Sequence, residues 1–223
     1  MSGDTSESQD QPPATDLPRP RFSRFYAKIS ETLETEGLAA LRRELLGPLT
    51  GRIVEIGSGN GMNFRHYPAA VTGVIAVEPE PHLRSLAERA ATTATVSVTV
   101  RPGAAGRLPL PDASVDAAVL CLVLCSVADR PGALAEIRRV LRPGGTLHFL
   151  EHTIADTPVL RTVQRLVDAT FWPRFAGGCH TATDPVALIT AAGFTVTTSQ
   201  RLRFPERRFT QPSTPHVLGI AGR

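Results

Sequence analysis

Short apolar segments alternate with segments of helical periodicity along most of this chain, and this alternation limits its fold more than any other feature. Parallel strands need long crossovers that pack back onto the sheet, and helices supply them. The last two strand segments have no long helix between them, so the final strand is expected to run antiparallel. The sequence therefore predicts an α/β fold with a seven-stranded, mostly parallel sheet. The predicted strands are GRIVEIG, VTGVIAVEP, TVSVTVRP, VDAAVLCLVL, TLHFLEH, FTVTTSQ and HVLGIAG.

Proline and glycine mark the predicted helix ends. A first long helix is predicted over RFSRFYAKISETLETEGLAALRRELL, which ends at Gly47. A later helix is predicted to begin at Pro158, with Thr157 as its N-cap. The first 20 residues are polar, acidic and rich in proline, so residues 1–20 are predicted to be a disordered tail that catalysis does not need. Residues 21–223 are predicted to form one domain.

Composition excludes several classes of protein. The chain of 223 residues has no run of 18 apolar residues, so no membrane span is expected. Three cysteines are too few for a disulfide framework, which favours a cytoplasmic location. The net charge of +3 is not concentrated on a basic face, so a nucleic-acid partner is not expected. Nothing in the sequence predicts the oligomeric state.

The glycines of the segment VEIGSGNG point to a ligand. Gly57, Gly59 and Gly61 lie between a predicted strand and a predicted helix, where they let a ligand approach the backbone closely. The next strand ends at Glu78, and a carboxylate at that place can accept hydrogen bonds from both hydroxyls of a ribose. The pattern therefore favours a ligand that contains adenosine, although a tight strand-to-helix turn would also use glycines.

Two common nucleotide-binding motifs do not fit this loop. The dinucleotide motif needs its third glycine where Met62 stands, and a P-loop needs a Gly-Lys-Ser/Thr sequence that is missing here. Glu55, just before the loop, would repel a pyrophosphate but attract a ligand that carries an ammonium and a sulfonium. S-adenosyl-L-methionine (SAM) carries both groups, so SAM is the predicted cofactor and S-adenosyl-L-homocysteine the predicted product.

Longer motifs carry a family resemblance. The segments VEIGSGNG, AVEPE, PLPDASVDAAV and EIRRVLRPGGTLHFLEH resemble the Rossmann-like class I SAM-dependent methyltransferases over about residues 50–152. LVLCSV, GGCHTATDPVALITAAGF and PHVLGIAG resemble, more closely, the methyltransferase-like protein 7 group of alkyl-thiol S-methyltransferases and its bacterial relatives. That resemblance implies transfer of a methyl group from SAM to a small, lipophilic thiol. The group has an apolar N-terminal membrane anchor where this chain has a polar tail, so soluble behaviour is expected.

The resemblance also implies a set of cofactor-binding residues. Glu55 and the glycine loop would surround the methionine part of SAM, and Glu78 with Pro79 would hold the ribose and adenine. Many class I enzymes hold the adenine amino group with an acidic residue after the third strand, but Ala104 and Ala105 stand there, so backbone and packing are expected to hold it. The implied residues are Tyr26, Glu55, Gly57, Ser58, Gly59, Gly61, Asn63, Glu78, Pro79, Ala104, Ala105, Cys121 and Leu122. Tyr26, with its neighbour Phe25, resembles an aromatic lid.

Methyl transfer to a thiol needs little acid–base chemistry. A thiol has a pKa of about 8.5, so a mild base or a positive environment is enough to favour the thiolate. His152, at the end of the fifth strand, His180, in a glycine-flanked loop, and Asp168 are the candidate catalytic residues. No metal is expected, because Cys121 and Cys125 have only Cys179 as a further cysteine. An arsenite methyltransferase, which would use several cysteines, stays open as a minor alternative.

Other acceptors and one other class remain possible from the sequence. The core motifs do not separate S-methylation from O- or C-methylation of a quinone-like or natural-product molecule. The segment LCLVLCSV has almost no polar side chains, which suits an uncharged, lipophilic acceptor and disfavours methylation of nucleic-acid bases. A SAM-binding protein without catalytic activity is disfavoured, because the glycine loop and Glu78 are intact.

Overall fold

Seven strands form a single sheet in the computed structural model, which describes residues 18–206 and 210–223. Their spatial order is β3-β2-β1-β4-β5-β7-β6. Strand β7 runs antiparallel to both of its neighbours, and the pairs among the first five strands are parallel. The strands are β1 Gly51–Ile56, β2 Val71–Val77, β3 Val98–Arg101, β4 Val115–Cys121, β5 Leu141–His152, β6 Thr195–Arg203 and β7 Pro215–Gly222. The predicted α/β sheet with an antiparallel last strand is confirmed.

Helices connect these strands and cover the sheet. The α-helices are α1 Pro20–Leu33, α2 Ala39–Leu46, α3 Pro81–Ala91, α4 Arg130–Val140, α5 Pro158–Ala169, α6 Trp172–Phe175 and α7 Pro185–Ala191. Short 3-10 turns follow β1 and β4, at Phe64–His66 and Leu124–Ser126. Among the described residues, no helix has the length and apolar character needed to cross a bilayer.

The core has two halves, one on each face of the sheet. Alternate residues of a strand point to opposite faces, so Val54 packs in one half and Ile53 in the other. Helices α4 and α7 cover the first half with Ile137 and Ile189, while the N-terminal helices cover the second with Leu45. The central strands are therefore apolar on both faces, as expected for parallel strands between helical layers.

The N-terminal helix differs from the prediction in being interrupted. A five-residue π-helical segment, Glu34–Leu38, separates α1 from α2, and Gly37 within it has a φ of 120°. Such a φ lies outside the helical region and favours glycine, so the chain changes direction there. The interruption lets α1 run toward the carboxyl ends of the strands while α2 packs on the sheet.

Two further boundaries and one helix cap differ from the predictions. Helix α1 begins at Pro20 and Arg19 makes ordered contacts, so the predicted tail is too long by at least these two residues; residues 1–17 lie outside the described residues. Thr157 occupies the N-cap position of α5, but its side chain makes no capping hydrogen bond. The predicted fifth strand is too short, because β5 begins at Leu141 and includes the Arg-Pro-Gly-Gly segment.

Candidate functional site

A cavity of about 310 Å³ lies at the carboxyl ends of β1, β2 and β4. In an open α/β sheet this edge is where ligands bind. The cavity brings together nine of the thirteen residues that the sequence assigned to the cofactor. These are Tyr26, Gly57, Gly59, Glu78, Pro79, Ala104, Ala105, Cys121 and Leu122. The four others, Glu55, Ser58, Gly61 and Asn63, do not line this cavity.

The three loop glycines are required by backbone geometry and by close neighbours. Gly57, Gly59 and Gly61 have φ values of 64°, 56° and 80°, which side chains rarely adopt. A Cβ atom on Gly57 would lie 2.8 Å from a methyl carbon of Val123, and one on Gly59 would lie 3.1 Å from the ring of Tyr26. The loop is therefore a bare backbone cradle, open toward the cavity at Gly57 and Gly59.

Glu78 is held in place by the glycine loop itself. The Gly59 N–H donates to Oε2 of Glu78 at 2.7 Å, and the Glu80 N–H donates to Oε1 at 2.9 Å. Burial raises the pKa of Glu78, while these two backbone donors oppose the shift. Each carboxylate oxygen keeps acceptor capacity, since it has more than one lone pair. The arrangement suits a carboxylate that accepts the hydroxyls of a ribose.

Behind the loop lies a buried polar network centred on Glu55. Asn63 Nδ2 donates to Oε1 of Glu55 at 2.9 Å, and the Tyr67 hydroxyl donates to Oε2 at 2.7 Å. Arg42 of α2 donates through Nη1 to Asn63 Oδ1 at 2.7 Å and to the Cys121 sulfur at 3.2 Å. Burial raises the pKa of Glu55 to about 7, although the hydrogen bonds oppose it. Glu55 and Asn63 thus support the cavity from behind.

Ser58 and Gly61 have different places in the loop. The Ser58 hydroxyl is buried and has no hydrogen-bond partner among residues 18–206 and 210–223. This hydroxyl is an exception, because buried polar atoms are normally paired, and it lies outside the residues that line the cavity. A Cβ atom on Gly61 would lie 2.7 Å from the ring of Phe64, so Gly61 is needed for packing behind the loop. The open cradle at Gly57 and Gly59 fits the predicted cofactor.

The N-terminal segment closes one side of the cavity. Phe22 and Tyr26 of α1 line it, with their ring centroids 5.6 Å apart. Phe25 is 57% exposed, so of the predicted aromatic pair only Tyr26 reaches the site. Arg19 also lines the cavity, donates from its guanidinium to the Gly177 carbonyl and places its backbone N–H 3.4 Å from the Glu80 carboxylate. Sequence reasoning missed Arg19 because it counted this residue in the tail.

The wall after β4 is apolar and locally strained. Leu122 has a φ of 61°, which is rare for a branched side chain and recurs at functional sites. Its N–H is bonded to the Leu150 carbonyl at 2.8 Å, which helps to hold the strained conformation. Val123, Val127 and Ala128 continue the wall. No sequence signal reveals this backbone conformation, because leucine does not favour it.

None of the three predicted catalytic residues lines the cavity, and two of them, Asp168 and His180, have positioning contacts. The Asp168 carboxylate accepts hydrogen bonds from the Thr181 N–H at 2.8 Å, the Thr181 hydroxyl at 3.0 Å and the Ala182 N–H at 2.8 Å. It therefore braces the loop before α7, which leaves an acid–base role without geometric support. His180 lies in that loop, with Nδ1 2.9 Å from the Gly178 carbonyl.

His152 lies instead beside a protein thiol. Its Nδ1 atom is 3.4 Å from the Cys179 sulfur, and its ring stacks on His216 with centroids 4.5 Å apart. Burial opposes protonation, but Cys179, Glu151 and Asp168 together raise the pKa of His152 above its usual value. A histidine with a raised pKa is a poor base near neutral pH and a good source of positive charge. The structure therefore favours the positive environment over general-base catalysis for His152.

The cysteines are arranged differently from their spacing in the sequence. Cys121 belongs to the Arg42 network, whereas Cys125 lies beside Cys179 and His152. The Cys125 thiol and the His152 ring lower the pKa of the Cys179 thiol, against the opposing effect of burial. The same contact raises the pKa of Cys125 well above its usual value. Cys179 is thus the more acidic of two neighbouring buried thiols, a feature that the sequence spacing did not reveal.

Comparisons with known proteins show the family and the fold of the chain. Residues 54–149 match the family described as a methyltransferase domain. The human thiol S-methyltransferase TMT1A is 30% identical over 215 residues, covering 90% of this chain and 85% of the relative. The ubiquinone/menaquinone biosynthesis C-methyltransferase UbiE of Syntrophotalea carbinolica is 28% identical over 179 residues, covering 79% of this chain and 76% of the relative. A solved structure of a SAM-dependent methyltransferase of Thermotoga maritima, described as a possible histamine N-methyltransferase, matches with a TM-score of 0.65 at 25% identity, covering 91% of this chain and 98% of that chain.

Proposed function

The chain belongs to the Rossmann-like SAM-dependent methyltransferases, in one family with the thiol S-methyltransferases TMT1A and TMT1B, and from this premise we propose that it methylates the sulfur of a small, lipophilic thiol. The observation that carries the lipophilic character of the acceptor is the apolar wall of the cavity, formed by Leu122, Val123, Val127 and Ala128. The choice of sulfur rests on the similarity to the thiol S-methyltransferases. A lipophilic acceptor gains free energy by burial against such a wall. Charged acceptors would lose their hydration there without compensation.

The cofactor side of the cavity supports SAM as the methyl donor. When bound, SAM supplies a methyl group that its sulfonium has already activated. The Gly57–Gly59 backbone leaves room for the amino-acid part, and Glu78 offers acceptors to the ribose hydroxyls. Ala104 and Ala105 line the adenine side, where backbone and packing take the place of the acidic residue that many class I enzymes have. The carboxylates Glu78 and Glu80 complement a cationic ligand electrostatically.

In methyl transfer, the main task of the protein is to align the methyl donor and the acceptor. Methyl transfer is an in-line displacement, so holding the sulfur and the methyl group in line supplies much of the rate. The apolar wall positions the acceptor and excludes water from it. We assign the positive charge that favours the thiolate over the thiol to His152, which lies beside Cys179 and outside the residues that line the cavity. Asp168 positions the loop that carries His180. This loop also carries Cys179, the neighbour of His152.

C-methylation of a quinone-like acceptor is the second candidate function. UbiE of Syntrophotalea carbinolica is similar over 79% of this chain, and the apolar wall would also suit a quinone precursor. The apolar wall would equally suit a phenol, so O-methylation belongs to this second candidate function. A SAM-binding protein without activity is a weaker candidate, because the glycine loop, Glu78 and the acceptor wall are all present together.

With three free cysteines and a small-molecule acceptor, we place the enzyme in the cytoplasm.

The decisive experiment is a panel of acceptors incubated with the protein and SAM. The panel contains small alkyl and aryl thiols, the phenols of matched shape and a demethylated quinol, and mass spectrometry identifies the methylated product. We expect methylation of the thiols and little methylation of their oxygen counterparts. Turnover of a phenol or quinol with no thiol methylated would overturn the acceptor class, and the quinone-type function would replace it.

A further inference from the structure

Three metal-ligating atoms converge outside the predicted cofactor contacts. The sulfurs of Cys125 and Cys179 and the Nδ1 atom of His152 all lie within 4.8 Å of one another. The Cys179 sulfur and His152 Nδ1 are 3.4 Å apart. In a tetrahedral zinc site, bond lengths near 2.3 Å to sulfur and 2.0–2.1 Å to nitrogen place these atoms about 3.5 Å apart. The Cys179–His152 pair therefore already has the spacing of two zinc ligands, and the Cys125 sulfur lies within 4.8 Å of both.

The three residues come from three separate parts of the fold that the backbone ties together. Cys125 belongs to the turn after β4, His152 ends β5 and Cys179 follows α6. The backbone N–H of His180, next to Cys179, donates to the Cys125 carbonyl at 2.9 Å. Cys179 N–H donates to the Ala176 carbonyl at 3.0 Å. The ligand atoms are thus brought together by ordered segments, which reduces the cost of binding an ion.

The surroundings of the cluster are those of an unsatisfied buried polar site. Cys125 and Cys179 are 2% and 5% exposed. The indole N–H of Trp172 is buried toward Cys179 and has no hydrogen-bond partner of normal geometry within the described ranges. Buried polar groups are normally paired, and groups around a metal site form hydrogen bonds with its ligands. A cation bound there would hold both sulfurs as thiolates, because metal ligands must be deprotonated, and this donor would face one of them.

The donor set determines the class of metal and the number of protein ligands. Two sulfurs and one imidazole suit zinc and other soft or borderline ions and do not suit magnesium or calcium. The neighbouring Glu151 is occupied, because the N–H groups of residues 123–125 donate to it at 2.8–3.4 Å. His216 uses Nδ1 to donate to the Thr214 carbonyl at 2.9 Å. Three protein ligands leave a fourth position open, as in catalytic zinc sites.

We infer that Cys125, His152 and Cys179 form a three-ligand site for a zinc-class metal ion whose fourth position takes the sulfur of the acceptor thiol. The second half of this inference rests on the proposed function. Ser126 and Gly177 support it, since each lies within two residues of a ligand and lines the cofactor cavity. An incoming thiol would displace a water from the ion and lose its proton to solvent, so that the ion holds a thiolate beside the methyl donor.

The experiment uses the full chain, reduced and freed of metal, with Co²⁺ as the spectroscopic probe. Anaerobic titration should give one tetrahedral Co²⁺ per chain, with the near-ultraviolet absorption of thiolate-to-cobalt charge transfer. Cys125→Ser, Cys179→Ser and His152→Ala should each weaken binding more than about 100-fold, beyond the loss typical of an outer-shell partner. Cys121→Ser and His180→Ala are the matched controls and should keep the absorption. Addition of a small alkyl thiol should change the cobalt spectrum, and the phenol of matched shape should not.

A second measurement needs no variant. Zn²⁺ should slow alkylation of Cys125 and Cys179 in the wild-type chain and leave Cys121 unchanged, as read by peptide mass spectrometry. Three results would overturn the site. Co²⁺ and Zn²⁺ could fail to bind, or Cys125 and Cys179 could form a stable disulfide under reducing conditions. The control variants could also lose metal affinity as much as the ligand variants. A cobalt spectrum that no thiol changes would overturn the acceptor's place at the fourth position. Thiol methylation without metal binding would overturn this inference alone, whereas a filled site with phenol turnover only would overturn the proposed function.

Discussion

The cofactor cavity and the Cys125–His152–Cys179 cluster lie at the same edge of the sheet but are built from different parts of the chain. The cavity is built mostly from backbone, with a glycine loop, a carboxylate held by two N–H groups and small residues. The cluster is built from side chains of three distant segments, and its chemistry is that of sulfur and imidazole. The difference teaches that the glycine loop and the carboxylate of the cavity are placed by local geometry, whereas the cluster, to which we assign the acceptor sulfur, is made by tertiary contacts.

The largest effect is expected when the cluster is changed, because turnover should fall while cofactor binding in the cavity stays intact. His152→Ala removes the positive charge or metal ligand that we assign to the acceptor site, so turnover with a thiol should fall more than about 100-fold at neutral pH. Much of that loss should return at high pH, where the thiol ionises unaided. SAM affinity, measured by calorimetry, should stay within a few-fold of wild type.

The control for this experiment is His180→Ala, which changes a neighbouring histidine that does not belong to the cluster. It should keep a rate within about tenfold of wild type. An unchanged rate in His152→Ala would remove the role of His152 and leave S-methylation standing. A parallel loss of SAM affinity would show that the two regions are not separable.

The second effect tests the buried carboxylate behind the cavity. With a pKa raised to about 7, Glu55 keeps a proton in the folded chain that the unfolded chain releases above its ordinary pKa near 4.5. The free energy of unfolding should therefore fall by roughly 3 kcal/mol as the pH rises through this window. Glu55→Gln removes this loss, so its melting temperature relative to wild type should rise between pH 5 and pH 8. Glu88→Gln, on the exposed face of α3, should show no such trend.

The third effect tests the carboxylate that faces the cavity. Glu78→Ala removes acceptors for the ribose hydroxyls, each charge-assisted bond being worth about 1.5–3 kcal/mol, so SAM affinity should fall at least tenfold. Co²⁺ binding at the cluster should be unaffected, which would sharpen the separation of the two regions. Glu88→Ala is the control for a charge change on the neighbouring helix. Unchanged SAM affinity in Glu78→Ala, measured by calorimetry, would remove the ribose assignment.

The smallest effect concerns the N-terminal segment that closes the cavity. A chain beginning at Pro18 should match the full chain in melting temperature and turnover. A chain beginning at Arg21 loses the Arg19 contacts with Gly177 and Glu80, so its melting temperature should fall by about 2–4 °C for each kcal/mol lost. Equal melting temperatures and turnover of the two shortened chains would support the original prediction that the tail extends to residue 20.

The two regions also differ in how far the sequence predicts them. The sheet, its antiparallel last strand and the placement of Gly57, Gly59 and Glu78 follow from periodicity and turn chemistry, which are local. The contact between Cys125 and Cys179 joins positions 54 residues apart, and no local pattern encodes it. The strained Leu122 is equally hidden, because surrounding contacts override its intrinsic preference.

The two edges of the sheet bear on how the protein behaves at high concentration. An edge strand offers unpaired N–H and C=O groups that another chain can join, which is a common route to aggregation. Strand β3, at one edge, has only four residues and gives little length for pairing. Strand β6, at the other edge, is longer but carries Arg201, which pairs with Asp156 at 3.0 Å, and Arg203, which contacts Thr210. The short length of β3 and the charged side chains of β6 both disfavour pairing with another chain. At high concentration, copies of this chain should therefore not readily join into extended sheets.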